Sequence, residues 1–154
     1  MFALSDLPTI SRALQLWNGG DAKAAATILA DAFEQSGVPF DVLLENPSTR
    51  LAVYGSLAPG ELNQHILAPI AGSWLRGSVR GFLNDAGWGT SLGFRSLVWN
   101  EEGADVAVQV LESPELPLHW SSLDDFEGPE YRRILVPVRN PGGVLVANLY
   151  AANV

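Results

Sequence analysis

Two short segments hold the residue types that could do chemistry. The first is Val53-Tyr54-Gly55-Ser56-Leu57-Ala58-Pro59-Gly60. An apolar strand runs into a loop punctuated by Gly and Pro, and such a loop can turn several backbone N–H groups in one direction. A carboxylate or phosphate could then be held without a cationic side chain. An ordinary strand-end turn, in which Gly55 only permits an unusual φ, accounts for the same residues. The Gly-Lys-Ser/Thr ending of a phosphate loop is missing. Ser56 also lacks the second Gly two residues on that a nucleophile elbow needs.

The second segment is Leu123-Asp124-Asp125-Phe126-Glu127-Gly128-Pro129-Glu130-Tyr131-Arg132-Arg133, four carboxylates beside two arginines. The pattern predicts a helix over about 114–126, with Glu127-Gly128-Pro129 as its C-terminal exit. A carboxylate there faces the negative end of the helix dipole, and burial under Phe126 or Tyr131 would act in the same direction. Both disfavour the charged form and raise the pKa, which suits a general acid/base. An exposed acidic helix end balanced by Arg132 and Arg133 is the alternative.

Composition removes several classes. The chain has 154 residues, 47% of them hydrophobic, enough for one packed domain. It has no Cys, so disulfide scaffolds, thiolate metal sites and a Cys nucleophile are excluded. His65 and His119 alone cannot make a three-His metal site and read as packing or surface residues. The net charge is −8, and eight of the nine basic residues are Arg. Sequence-blind nucleic-acid binding is therefore not expected. No apolar run approaches the ~20 residues of a membrane span, and 1–11 do not read as a signal peptide. A cytoplasmic protein is expected. Trp74, Trp88 and Trp99 could wall a pocket or fill a core. Arg76, Arg80 and Arg95 could hold an anion, with a solvated face as the simpler reading.

The elements that would position these segments follow from periodicity. Ser5 or Asp6 can cap a first helix whose stripe is Ile10, Ala13, Leu14 and Trp17, ended by Gly19-Gly20. Asp21 caps a second, with Ala25, Ile28, Leu29, Ala32 and Phe33 as its stripe and Gly37 and Pro39 as its stop. One more helical turn is expected over 40–45. From Arg50 the texture changes to short β-prone runs at 51–54, 78–83, 94–99, 106–111, 132–138 and 144–150. Asn140-Pro141-Gly142-Gly143 makes the last two a hairpin. The expected fold class is α+β, a small mixed-sheet, barrel-like domain with an N-terminal helical hairpin.

Taken together, Tyr54-Gly55-Ser56-Leu57 and Leu123-Asp124-Asp125-Phe126-Glu127-Gly128, followed by Tyr131, resemble the two hallmark motifs of the γ-glutamyl cyclotransferase-like superfamily. The resemblance runs from about Arg50 to the C-terminus. It implies a cyclotransferase-like domain over 49–154 and leaves the helical segment 1–48 as an N-terminal extension outside the family's usual core. It also implies conversion of a small-molecule γ-glutamyl amide, amine or peptide to 5-oxoproline with release of the amine. Glu127 would be the general acid/base. Tyr54, Gly55, Ser56 and Leu57 would bind substrate, their loop gripping the α-carboxylate. Tyr131 and Tyr150 are weaker candidates that could lend O–H groups to the site, the alternative for both being a packed aromatic with its hydroxyl at the surface. No metal or organic cofactor is implied. The sequence departs from the family pattern at 87–94, which lacks a Pro, and at Ala107, where Gly is common. A non-catalytic small-ligand or protein-interaction domain on the same fold is the alternative, with the N-terminal helices as a protein-partner surface.

Overall fold

The computed structural model describes residues 1–54, 64–84 and 96–153. Gly55, Ser56 and Leu57, the departures at 87–94, and Trp88 and Arg95 lie outside the described residues.

The helical hairpin forms, and its stripes are buried or half-buried except at their ends: Ala32, expected in the α2 stripe, is the last residue of that helix and is exposed. Helix α1 spans Leu7–Asn18 and α2 spans Ala22–Ala32. Asp21 caps α2, its carboxylate accepting from Ala24 N at 3.1 Å. Asp6 stands at the start of α1 but does not cap it. Its side chain accepts instead from Ala3 N at 3.2 Å, tying down the turn before the helix. Ile10, Ala13, Leu14, Ala25 and Leu29 are fully buried. Trp17 stays at the rim and stacks on Phe40, the first residue of the one-turn helix α3, Phe40–Leu43.

Six strands follow: β1 Arg50–Val53, β2 Ser73–Asn84, β3 Ser96–Trp99, β4 Ala104–Glu112, β5 Tyr131–Asn140 and β6 Gly143–Ala152. The order is β3-β2-β4-β1-β6-β5, and a β2–β5 pairing at Ser78↔Arg139 closes the last five into a barrel. Among the described residues only β1 and β6 run parallel, in the register Leu51↔Asn148. The expected terminal hairpin is present, with Asn140 paired to Gly143.

Strand β2 begins at Ser73, five residues before the expected 78. Gly77 reads as a breaker in sequence, but here it lets β2 cross close to β5. A Cβ on it would lie 2.6 Å from Val138 Cγ1 and 2.7 Å from Arg139 O. The helix expected over 114–126 is likewise split. A 3₁₀ turn over Leu116–Leu118 comes first, and α4 spans Trp120–Glu127.

Strand alternation sorts the side chains into three layers. Ala52, Val79, Val108, Val136, Ala147 and Leu149 point into the barrel. The outer positions Leu135 of β5 and Val146 of β6 pack under α1 and α2, against Ile10, Leu14 and Leu29. Leu51, Val53, Leu111 and Tyr150, on other outer faces, pack under Trp120 and Leu123 of α4. Polar contacts reinforce the N-terminal layer. Asn18 accepts from Leu135 N at 3.0 Å and donates to Leu135 O at 2.8 Å. Phe2 and Val144 exchange backbone hydrogen bonds. No helix among the described residues is long and apolar enough to cross a membrane.

Candidate functional site

Helix α4 is amphipathic over two turns: Trp120 and Leu123 are buried, and Asp124 and Glu127 follow at a spacing of three, on neighbouring positions of one face. Glu127 is its last residue. Gly128 ends it with φ 79° and ψ −175°, a region essentially reserved for glycine. Tyr131 N then donates to Gly128 O at 3.3 Å as β5 begins. The turn is clamped by the end of β6, where Asn153 donates from N to Glu130 O at 2.9 Å and from Nδ2 to Pro129 O at 2.9 Å.

The hairpin register places Arg133 directly opposite Tyr150, so their side chains share the outer face toward α4. Both reach Asp124. Tyr150 Oη donates to Asp124 Oδ1 at 2.6 Å, and Arg133 donates from Nε to Oδ1 at 2.9 Å and from Nη2 to Oδ2 at 3.4 Å. Arg133 Nη1 also donates to Asn148 Oδ1 at 3.2 Å, and its guanidinium lies 4.4 Å from the centroid of the Trp120 ring. Trp120 Nε1 in turn donates to Ser48 O at 3.0 Å.

Tyr54 follows β1 and turns toward the barrel interior. Its hydroxyl donates to Tyr150 O at 2.7 Å and accepts from Leu97 N at 3.0 Å. Tyr54 is thus a strut between β1, β6 and β3.

Glu127 is half-buried, and that burial pushes its pKa up to about 7. Its position at the C-terminal end of α4 acts in the same direction. Of the two aromatic rings expected to cover it, Tyr131 packs against the apolar cluster beneath α4, whereas Phe126 is 42% exposed. The Glu127 charge reaches three tyrosines. It raises the Tyr131 and Tyr54 pKa values beyond the effect of their burial, and it adds to burial and the Asp124 hydrogen bond in raising that of Tyr150. All three phenols are therefore held in their neutral form.

Glu127, Tyr54, Tyr131 and Tyr150 thus gather at one corner of the barrel, where the described part of the chain breaks off after Tyr54. Arg80 is spent on an exposed ion pair with Asp105 at 3.2 Å, and Arg76 is exposed. His65 is exposed in a 3₁₀ turn, and His119 is the residue before α4. Trp99 packs against the barrel core and donates from Nε1 to Glu101 Oε2 at 2.6 Å, while Trp74 is exposed. An open cleft of about 490 Å³ at the N-terminal layer, bordered by Met1, Phe33, Val42 and Glu45, shares no residue with the Glu127 corner. No group of three or more acidic, His or Cys side chains among the described residues is arranged to hold a metal ion.

Asn148 had no role in the sequence reading. Arg133 does balance a carboxylate at the end of α4, as the alternative reading of this segment expects, and the carboxylate is Asp124. A signal for the place of Arg133 was available: once Asn140 and Gly143 are paired by the turn, counting back along both strands puts Arg133 opposite Tyr150.

A closed five-stranded mixed barrel with an added strand and flanking helices is the fold of the γ-glutamyl cyclotransferases. Residues 51–154 match the family model described as gamma-glutamyl cyclotransferase, AIG2-like, and the chain belongs to that family. The crystal structure of YkqA from Bacillus subtilis superposes with a TM-score of 0.54 at 31% identity, covering 68% of this chain. The match takes in only 36% of the YkqA chain. An aig2-like protein from Mus musculus gives a TM-score of 0.54 at 25% identity, over 68% of this chain and 77% of that one. A solved gamma-glutamyl cyclotransferase at 18% identity shares the fold, with a TM-score of 0.51 over 68% of this chain and 66% of that one. Nothing among curated protein sequences matches the chain.

Proposed function

We propose that the protein cyclises a γ-glutamyl amide, amine or peptide to 5-oxoproline and releases the free amine. The observation that carries this reading is the half-buried carboxyl of Glu127, poised near neutrality, whose charge reaches Tyr54, the residue that leads into the Gly55-Ser56-Leu57 segment. Family membership supports the reaction class.

In this reading the backbone N–H groups of 55–57 hold the substrate α-carboxylate. The neutral α-amino nitrogen attacks the γ-carbonyl carbon. As the ring C–N bond forms, Glu127 takes a proton from that nitrogen. The γ-amide C–N bond then breaks, and Glu127 returns the proton to the departing amine. No water is consumed. A carboxyl with a pKa near 7 is matched to both transfers, and much of the acceleration comes from folding the substrate into a reactive conformer. Tyr131, whose ring lines the corner, would orient the substrate.

The same reading treats 49–154 as the cyclotransferase unit and 1–48 as a helical extension packed onto it. The N-terminal half-layer is a surface that a protein partner could use.

The test is release of 5-oxoproline from a panel of γ-glutamyl amines, amino acids and dipeptides, followed by mass spectrometry. Glu127→Gln keeps the shape and removes the proton carrier, so turnover is expected to fall ~10²–10⁴-fold. Equal turnover by the variant would remove Glu127 from the mechanism. Calorimetric binding of a γ-glutamyl ligand with no product from the unaltered protein would make this a binding domain.

A further inference from the structure

Helix α4 has only eight residues, and no side chain caps its N-terminus. Its apolar contacts through Trp120 and Leu123 fix its distance from the barrel. Its rotation needs a directional contact, and Asp124 supplies one, receiving three donor groups from two strands: Tyr150 Oη, Arg133 Nε and Arg133 Nη2. Arg133 is itself fixed, by Asn148 on β6 and by the Trp120 ring. Glu127 lies three residues on, and its charge reaches the phenols of Tyr54, Tyr131 and Tyr150. The other charges around that corner are Asp124, Glu130 and Arg133.

The direction of one proton matters. The Tyr150 hydroxyl lies close enough to Glu127 to feel its charge, yet its proton points to Asp124 at 2.6 Å. A phenol donating to the Glu127 carboxylate would stabilise the charged form and weaken it as a base. A carboxylate already gripped by a guanidinium in fixed geometry is the better-placed acceptor.

We propose that Asp124 is a positioning residue. By gripping Tyr150 and Arg133 it sets the rotation of α4 that aims Glu127 into the tyrosine corner, and it keeps the Tyr150 proton off the Glu127 carboxyl. This rests on the reading of Glu127 as the acid/base of γ-glutamyl cyclisation. Tyr150 is then a strut and a proton donor to Asp124, rather than a donor to substrate.

The test follows the Glu127 carboxyl directly, by ¹³C NMR titration of the full chain, with turnover of a γ-glutamyl substrate measured alongside. Asp124→Ala is expected to lower the Glu127 midpoint by about one unit. It should also cut kcat at least ~10-fold with KM held within ~3-fold, the mark of a group that acts on the chemical step. Tyr150→Phe in the same background removes the released phenol proton and is expected to return the midpoint at least halfway. A midpoint unmoved by Asp124→Ala overturns the proposal, as does a lowered midpoint that Tyr150→Phe fails to restore. If Asp124→Ala does not fold, Asp124→Leu, which keeps the bulk of the side chain and cannot accept the phenol proton, is compared with and without Tyr150→Phe by the same criteria. Should no γ-glutamyl compound yield 5-oxoproline, the functional reading fails, while the titration still decides whether Asp124 governs Glu127.

Discussion

The hydroxyl of Tyr54 donates to the carbonyl oxygen of Tyr150 at 2.7 Å. A residue just past the end of β1 is thereby tied to the β6 residue whose own hydroxyl reaches Asp124. Because Leu97 N also donates to the Tyr54 hydroxyl, one phenol satisfies two backbone groups. Tyr54→Phe leaves both without their partner and is expected to cost about 1–3 kcal/mol. Urea denaturation at pH 7 should show a lower midpoint with an unchanged slope. An unchanged midpoint would mean that the strut contributes nothing.

Glu127 makes stability depend on pH with a definite sign. Its pKa is raised from 4.5 to about 7 in the folded protein, so between these values the native state holds a proton that the unfolded chain releases. Its stabilising contribution is full below about 4.5 and is lost as pH rises through about 7. At ~1.4 kcal/mol per pKa unit the change is on the order of 3 kcal/mol. Glu127→Gln is neutral throughout, so its stability advantage over the unaltered protein should grow from pH 5 to pH 8. An advantage that stays constant across that range would show that the carboxyl is not held neutral by burial.

The activity profile follows from the same group. A base must be ionised to accept the first proton, so kcat/KM for a γ-glutamyl substrate is expected to rise with pH through an inflection near 7. An acidic limb near the ordinary Glu value of about 4.3 would place the titrating group elsewhere.

The N-terminal helices are a structural layer of the barrel. Val146 and Leu14 are completely buried where the two meet, and Asn18 holds both backbone groups of Leu135. Leu14→Ala is expected to cost about 2–5 kcal/mol in a single unfolding transition. Residues 49–154 expressed alone should aggregate or melt at far lower temperature. A stable, monomeric 49–154 would show that the barrel needs no cover over β5 and β6.

Much of this architecture can be read from local pattern. The stripes of α1 and α2, the Asp21 cap, the alternation of β4 and the turn at 140–143 are each encoded within a few residues. Barrel closure is not. Gly77 is punctuation in a linear reading, and its use as a crossing point depends on Val138 and Arg139, some sixty positions away. Pro117 and the 3₁₀ turn around it delayed α4 to Trp120, a break that the apolar spacing over 114–126 does not register. At the site, Glu127 was singled out by the Leu123-Asp124-Asp125-Phe126-Glu127-Gly128 resemblance, whereas the burial that raises its pKa emerges only in the fold. The joint grip of Arg133 and Tyr150 on Asp124 was not legible, because strand pairing brings those two side chains together. The Gly55-Ser56-Leu57 loop lies outside the described residues.

The bridge between Phe2 and Val144 and the Asn18–Leu135 pair join parts of the chain made far apart in translation. Emerging from a ribosome, α1 and α2 precede β5 by roughly a hundred residues, which at about 5–20 residues per second is on the order of 5–20 s. Through that interval the stripe of Ile10, Leu14 and Leu29 has no sheet to cover it. Docking of the hairpin must therefore wait for β5 and β6, which carry Leu135 and Val146.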